Sequence, residues 1–261
     1  MSNGSVIKSR LLESPHGFST RRGGVSTGIF ESLNLGRIDT LGDDPDRVEE
    51  NWTLFGRAAG IDTARFVHGH QVHGNHVHVA SREDAHGIRE PSSLEADGYV
   101  TNLPGLPLAV FTADCVPLLM EEREAGVVAA VHCGWKPTAA DIMGEAVKTM
   151  ASLGAEPERI RAAIGPCIRK CCFQTGPEVP AAMERLLGEP LGDLVEDDPA
   201  ERGKYRLDLP GVVARRLTQL GVPPENIDDL TTCTMCDPSS FWSHRTMGMR
   251  RGSQANIIML V

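Results

Sequence analysis

Two histidines and one cysteine are the residues of this sequence whose types and spacing most clearly suggest chemistry. They are His73 in the segment QVHG, Cys115 in TADC and His132 in VHCGW. One thiolate and two imidazoles suit a borderline metal ion such as zinc, and three protein ligands leave a fourth position for water or substrate. The separations of 42 and 17 residues match no local zinc-finger pattern, so tertiary folding must assemble this predicted metal site.

Cys115 also fits a second interpretation, as the nucleophile of a thiol hydrolase. His73 or His132 would then act as its base, and Asp114 would orient that base. A thiol hydrolase needs one histidine, whereas two histidines with one cysteine meet the preference of zinc, so the metal interpretation is favoured. A buried structural thiol and a satisfied strand-end histidine are the commoner fates of either residue type taken singly. His73, Asp114, Cys115 and His132 are the candidate catalytic residues.

The remaining histidines and cysteines give weaker signals. Six of the nine histidines lie between His68 and His86, and a solvated polar strand face explains most of them better than metal binding. The pair Cys233 and Cys236 forms CTMC, but a structural zinc site usually needs two such pairs, and no second pair is evident. The segment GPCIRKCCF has no local fourth ligand, so we expect its three cysteines to serve packing. These three are Cys167, Cys171 and Cys172.

Basic residues indicate where an anion could bind. Arg21 and Arg22 precede Gly23 and Gly24 in TRRGGVS, a turn whose backbone N–H groups and guanidinium groups suit phosphate. In FWSHR, Ser243, His244 and Arg245 could form an aromatic and polar wall for a planar ligand together with Phe241 and Trp242, although core packing fits these two aromatics equally well. The candidate substrate-binding residues are Arg21, Arg22, Lys136 and Arg245.

Composition limits the classes of protein and partner. The chain has 261 residues, of which 41% are hydrophobic and 23% charged, as expected of a globular protein. A formal net charge of −9 disfavours nucleic acid and anionic membranes as general partners, and favours small molecules. With no apolar stretch of the length of a spanning helix and no signal-peptide core, we expect a cytoplasmic protein. Seven cysteines, an odd number, favour reduced thiols over a disulfide framework.

Hydrophobic patterning predicts the elements that must position these residues. Buried strands are predicted at LAVFT, ending at Asp114, and at VVAAV, leading to His132, so that each delivers a candidate ligand at its end. Residues 66–80 read as strand, turn and strand, and residues 15–40 as short strands with a loop. Helices are predicted at 44–59, at about 138–153, in PEVPAAMERLLG and in LDLPGVVARRLTQLG, with a charged, turn-rich connection over 190–206. No long linker appears, so we expect a single α/β domain over residues 1–261.

Several motifs together resemble one family over roughly residues 15–260. They are HGFSTRRGGVS, SLNLG, GDDP, QVHG, EADGYVTNLPGLPLAVFTADCVPLL, AAVHCGWKPTAADI, AAIGPCIRKCCF and FWSHR. The sequence is similar to the laccase-domain family, also called the YfiH-like or multicopper polyphenol oxidase family, whose bacterial members are described as purine nucleoside phosphorylases. The resemblance implies zinc ligands at His73, Cys115 and His132. The sequence departs from the family at Lys136 and Pro137, where Arg-Gly is usual. This change should weaken phosphate binding, because lysine lacks arginine's bidentate contact and proline lacks a backbone donor.

The resemblance also implies a fold and an activity. The fold is a single α/β domain with mixed β-sheets flanked by helices. The implied activity is zinc-dependent phosphorolysis of adenosine, inosine, guanosine and methylthioadenosine, with adenosine deamination as a side activity. The partners are purine nucleosides and phosphate, and the oligomeric state is open. One alternative is a copper-dependent polyphenol oxidase. The other is a non-catalytic protein that binds a nucleotide-like ligand or acts in quality control of peptidoglycan.

Overall fold

Fifteen strands and six α-helices occur within residues 4–37 and 42–261, the part of the chain that the computed structural model describes. The strands are β1 Val6–Ile7, β2 His16–Ser19, β3 Phe66–Val67, β4 Val77–Val79, β5 Ala85–His86, β6 Gly98–Thr101, β7 Pro107–Thr112, β8 Val116–Glu122, β9 Val127–Cys133, β10 Arg161–Ile164, β11 Gln174–Thr175, β12 Val195–Asp197, β13 Tyr205–Leu207, β14 Ile227–Asp229 and β15 Gln254–Met259. The helices are α1 Pro45–Ala59, α2 Trp135–Ala139, α3 Ile142–Ser152, α4 Glu178–Leu187, α5 Leu209–Gln219 and α6 His244–Met247.

Two six-stranded sheets form the centre of the molecule. Sheet I has the strand order β1-β2-β15-β7-β3-β5, and sheet II has the order β14-β10-β8-β9-β6-β4. Most neighbouring strands are antiparallel, but β3 with β7, β4 with β6 and β10 with β14 are parallel. The expected α/β fold with mixed sheets is therefore confirmed.

The two sheets pack face to face because their central strands are apolar on both faces. In β8, Leu118 and Met120 face one cluster of buried side chains while Leu119 faces another, as the two-residue period of a strand requires. The cluster that contains Leu119 also contains Leu108 and Val110 of sheet I, so it fills the space between the sheets. The opposite face of sheet II is covered by helices α3, α4 and α5, and sheet I is covered by α1.

The predicted elements agree with the structure with two instructive differences. Helix α1 begins after Asp44, whose carboxylate accepts a hydrogen bond from the backbone of Asp46. The helix predicted over about 138–153 is instead the pair α2 and α3, because Asp141 has the left-handed φ of 60°. The Asp141 side chain caps Gly144 and binds the guanidinium of Arg216, which holds the break in place.

The connection 190–206 is the second difference, since it contains strand β12 and the start of β13. These strands form a small three-stranded sheet with β11. In the segment 15–40, β2 is observed, and residues 38–40 lie outside the described residues. None of the helices in the described ranges has both the length and the apolar composition that crossing a bilayer requires.

Candidate active site and metal centre

The structure brings His73, Cys115 and His132 together. One ligand atom from each residue lies within 4.8 Å of the other two. The two imidazole rings meet edge to face with centroids 4.8 Å apart. Three donors at this spacing fit one metal ion, as their residue types predicted.

The chain places two of the three donors at crossings between the sheets. His73 lies in the connection from β3 of sheet I to β4 of sheet II, and Cys115 lies in the turn from β7 to β8. His73 has a positive φ of 58°, and Asp114, which precedes Cys115 in the chain, has a φ of 93°. For residues other than glycine, such values mark backbone strain. His132 projects from β9, which belongs to sheet II.

Gly134 keeps the space between the three donors open. A Cβ atom at this position would lie 3.2 Å from Cys115 Sγ, 3.3 Å from His73 Cδ2 and 3.4 Å from His132 Cε1. Any side chain here would therefore press on all three donors at once. The donor set and this open centre both fit a zinc-sized ion.

Asp97 organises the site, although sequence reasoning assigned it no role. Its fully buried carboxylate accepts a 2.7 Å hydrogen bond from His132 Nδ1. It also accepts hydrogen bonds from the backbone N–H groups of Val72, His73 and Gly74 at 3.1, 3.1 and 2.8 Å. A carboxylate behind a metal-binding histidine fixes the tautomer and orientation of the ring. Asp97 therefore leaves the other nitrogen of His132, Nε2, available to a metal ion.

Electrostatics favour the charged forms of Cys115 and His132. Burial opposes the thiolate of Cys115, but the nearby His132 and His73 outweigh it and lower the pKa of Cys115. Burial likewise opposes the imidazolium of His132, yet Cys115 and Asp97 raise the pKa of this histidine. The thiolate is the form of cysteine that binds metals and attacks carbon, so the site is prepared for either chemistry. If Cys115 acts as a nucleophile, the carboxylate that orients its base is Asp97, and the expectation that Asp114 does so is wrong.

Asp114 instead connects two neighbouring segments. Its Oδ1 accepts a hydrogen bond from the Thr234 hydroxyl at 2.6 Å, and its Oδ2 accepts from the Ser243 hydroxyl at 3.0 Å and the Arg245 backbone N–H at 2.7 Å. With both oxygens occupied by donors, the carboxylate is built to hold structure. This geometry favours a positioning role for Asp114.

A cavity of about 500 Å³ opens onto the three donors. Its apolar wall includes Phe111, Trp135 and Phe173, and its polar wall includes Arg245 and Arg251. Small-molecule sites commonly combine such a volume with aromatic walls and a few placed polar groups. Arg251 went unnoticed in the sequence because nothing distinguishes it from its neighbour Arg250.

The other predicted substrate-binding residues lie elsewhere. Arg21 stacks on Trp242 at 3.8 Å and donates to the carbonyl oxygens of Glu31 and Pro238, while Arg22 donates to Ser239. Neither is among the residues that line the cavity, and Lys136 is also outside that lining. Among the four candidates, only Arg245 faces the cavity.

The residues of the segment FWSHR lie partly in the core and partly at the cavity. Phe241 and Trp242 are buried in the core, whereas His244 and Arg245 line the cavity. The expected aromatic wall is therefore supplied by other residues.

The clustered histidines separate into different environments. His70 lines the cavity and contacts Arg37, with 3.0 Å between its Nε2 and the Arg37 guanidinium. His78 pairs with Asp84, and His68 is buried against Phe66. Apart from His73, these histidines lie outside the metal-type cluster.

Four cysteines assigned to packing or left as an incomplete pair also come together. Cys171, Cys172, Cys233 and Cys236 have sulfur atoms within 4.8 Å of one another. The expectation that CTMC lacks a second pair is therefore wrong, because the fold supplies one from a segment about 60 residues earlier. Among the cysteines of GPCIRKCCF and CTMC, only Cys167 is fully buried, as packing alone would require.

Comparison with known proteins relates this site to a family. A family model described as multi-copper polyphenol oxidoreductase laccase matches residues 15–261. A protein of Deinococcus radiodurans named purine nucleoside phosphorylase is 38% identical over 256 residues, which cover 98% of this chain and 92% of that protein. A protein named adenosine deaminase RL5, from an unknown prokaryotic organism, is 36% identical and covers 93% of each chain.

A solved structure gives the same result at the level of the fold. The hypothetical protein YfiH of Bacillus licheniformis superposes with a TM-score of 0.85 at 31% identity, covering 94% of this chain and 92% of that one. Because the matches in sequence and structure span nearly the whole length, the chain belongs to the laccase-like multi-copper polyphenol oxidoreductase family that includes YfiH.

Proposed function

We propose that this protein is a zinc-dependent purine nucleoside phosphorylase that acts on adenosine, inosine, guanosine and methylthioadenosine. The observation that carries the proposal is the cavity, in which the His73, Cys115 and His132 donors meet an aromatic wall and three guanidinium groups. Relatives named purine nucleoside phosphorylase give further support.

The aromatic wall suits the purine base. Phe111, Trp135 and Phe173 line the cavity, and a planar base gains dispersion and stacking energy from aromatic rings. Stacking tolerates different substituents on the base, because each purine presents the same π-face. This tolerance accounts for a substrate range that includes adenine, hypoxanthine and guanine nucleosides.

Arg251 and Arg245 are the candidate phosphate-binding residues. The side chain of Arg251 donates to the Gly252 carbonyl oxygen and the Ser253 hydroxyl, yet its buried Nε has no hydrogen-bond partner within the described residues. A buried donor without a partner costs free energy, and a phosphate oxygen would supply the missing acceptor. Arginine is also the side chain whose planar donors best match phosphate.

In the proposed reaction, a phosphate oxygen attacks C1′ of the ribose and the C1′–N9 bond breaks. The electron pair of that bond passes to the purine, which takes up a proton, and the products are ribose 1-phosphate and the free base. Zinc held by His73, Cys115 and His132 would supply Lewis acidity toward oxygen ligands. The arginines would hold phosphate, and the apolar walls would exclude the water that competes with it.

Adenosine deamination is proposed as a side activity of the same cavity. In that reaction water replaces the amino group at C6 of adenine and ammonia leaves. The relative named adenosine deaminase RL5 supports this proposal.

The test is release of free base from adenosine, with and without phosphate, by the zinc-loaded protein. Phosphorolysis requires phosphate and yields adenine with an equal amount of ribose 1-phosphate. Inosine that forms without phosphate reports deamination. Phosphate-independent oxidation of a phenol by the copper-loaded protein would instead support the oxidase, and nucleoside binding without turnover would support a non-catalytic role.

A pair of arginine variants tests the phosphate assignment. Arg251→Gln should raise KM for phosphate about 10- to 100-fold, the equivalent of one lost charge-assisted contact of about 1.5–3 kcal/mol, and should change KM for the nucleoside much less. Arg22→Gln is the control, because its partner is Ser239 and it does not line the cavity. The opposite pattern would return phosphate binding to the Arg21 and Arg22 loop that the sequence suggested.

A further inference from the structure

Four cysteine sulfurs converge at a second place in the fold, away from the donors of the proposed active site. Cys171 and Cys172 follow β10, and Cys233 and Cys236 follow β14, the strand that pairs with β10 in parallel. Parallel pairing brings the ends of both strands to the same edge of sheet II. The two short cysteine pairs meet there because of this topology.

The spacing of the sulfurs matches a tetrahedral metal site. Cys236 Sγ lies 3.4 Å from Cys172 Sγ and 3.6 Å from Cys171 Sγ, and all four sulfurs lie within 4.8 Å of one another. Four thiolates bound at the usual zinc–sulfur distance of about 2.3 Å have neighbouring sulfurs about 3.8 Å apart. All four cysteines are free of disulfide bonds.

We propose that Cys171, Cys172, Cys233 and Cys236 bind a second metal ion, zinc by donor type, in a closed structural site. Four cysteine ligands leave no open position for substrate, which is typical of structural zinc and distinguishes this site from the three-donor site.

The sulfur of Cys233 lies among backbone donors. The backbone N–H groups of Arg169 and Cys236 donate hydrogen bonds to it. Backbone donors of this kind orient and stabilise metal-bound thiolates.

A metal ion at this position would tie together two segments that reach the cavity. Cys167 and Thr234 are already joined by a 3.0 Å backbone hydrogen bond, and Arg169 forms a bidentate pair with Asp229 at 2.6 and 2.7 Å. The first segment continues to Phe173 in the cavity wall, and the second holds Asp114 through Thr234. The four-cysteine site would therefore fix the wall of the cavity without touching the substrate.

Metal content measured on reciprocal variants tests the proposal. Wild-type protein reconstituted with zinc under reducing conditions and freed of excess metal should hold two ions per chain. The double variant C171S/C236S, which removes one ligand from each segment, should hold one. C115A should also hold one, and the triple variant should hold none. Circular dichroism and the unfolding midpoint identify any variant that fails to fold.

Cobalt substitution identifies which site is lost. Thiolate-to-cobalt charge-transfer absorption grows with the number of thiolates, so C171S/C236S should lose most of it and C115A only a small part. A single ion in wild-type protein that C171S/C236S retains, or two ions in C171S/C236S, would overturn the proposal. The same holds if the four thiols form disulfides in preference to binding zinc under reducing conditions. Because metal content is measured without substrate, these outcomes are independent of the proposed phosphorylase activity.

Discussion

Replacing Asp97 by asparagine should weaken metal binding while all three proposed ligands, His73, Cys115 and His132, stay in place. Oδ1 of Asp97 accepts from His132 and from the His73 backbone, and Oδ2 accepts from the Val72 and Gly74 backbone. An asparagine that keeps its oxygen toward His132 must turn its amide nitrogen toward two N–H donors. None of the three metal ligands is removed, so any loss of metal must come from their orientation.

The magnitude follows from those contacts. Hydrogen bonds to a charged acceptor contribute about 1.5–3 kcal/mol each, and the loss of two, reduced because the turn is only partly buried, predicts a decrease of about 3 kcal/mol in the free energy of unfolding of the metal-free protein. Loss of a carboxylate behind a metal-binding histidine typically weakens metal binding 10- to 100-fold. We therefore expect Asp97→Asn to lower the free energy of unfolding by about 3 kcal/mol and to weaken zinc binding 10- to 100-fold.

Asp84→Asn is the matched control. Asp84 also accepts hydrogen bonds from a histidine, His78, and from the backbone N–H of Ser81, but its side chain is 26% exposed and lies outside the donor cluster. Urea unfolding of the metal-free proteins gives stability, and competition with a chelator gives zinc affinity. Equal zinc affinity in Asp97→Asn and Asp84→Asn would refute the role assigned to Asp97.

Two further predictions concern residues around the site and the core. Asp114→Asn should lower formation of inosine from adenosine, and the rate of phosphorolysis, because Asp114 holds Arg245. Zinc content should stay near that of the wild type, because the Asp114 carboxylate accepts from Thr234, Ser243 and Arg245 and not from the metal donors; loss of zinc would make Asp114 part of the metal site. His16 is buried, and burial lowers its pKa below the usual 6.5, although Ser14 and Ser9 hydrogen-bond to its ring. The neutral ring therefore contributes stability that is fully present above about pH 6.5 and is lost as the pH falls below it. His16→Gln should flatten the dependence of the unfolding free energy on pH between 7 and 5, as measured by urea unfolding, and an unchanged slope would contradict the assignment.

The sequence predicted those parts of the site that residue type reveals. His73, Cys115 and His132 stand out because cysteine and histidine have few chemical uses in common other than metal binding and nucleophilic catalysis. Asp97 did not stand out, because an aspartate before glycine is common in turns and its contact with His132 joins residues 35 positions apart. Its only signal was its place in the motif EADGYV.

The four-cysteine cluster escaped prediction for a related reason. Each half is an incomplete ligand set, and only the parallel pairing of β10 with β14 joins them. The apolar runs of β7 and β9 predicted buried strands well, whereas the break at Asp141 depends on a partner, Arg216, from another helix. Local patterns thus predicted the elements, and tertiary contacts decided where the elements ended and which side chains met.

Because the chain crosses between the two sheets at this site, an ion bound at the proposed three-donor site would join the sheets. His73 and Cys115 sit where the chain leaves sheet I for sheet II, while His132 belongs to sheet II itself. An ion bound by all three therefore resists sliding of one sheet over the other, and at 100 times its Kd it adds about 2.7 kcal/mol to the stability of the folded state. The coupling is reciprocal, so a substitution in the apolar layer between the sheets that alters their registry should change metal affinity without touching a ligand.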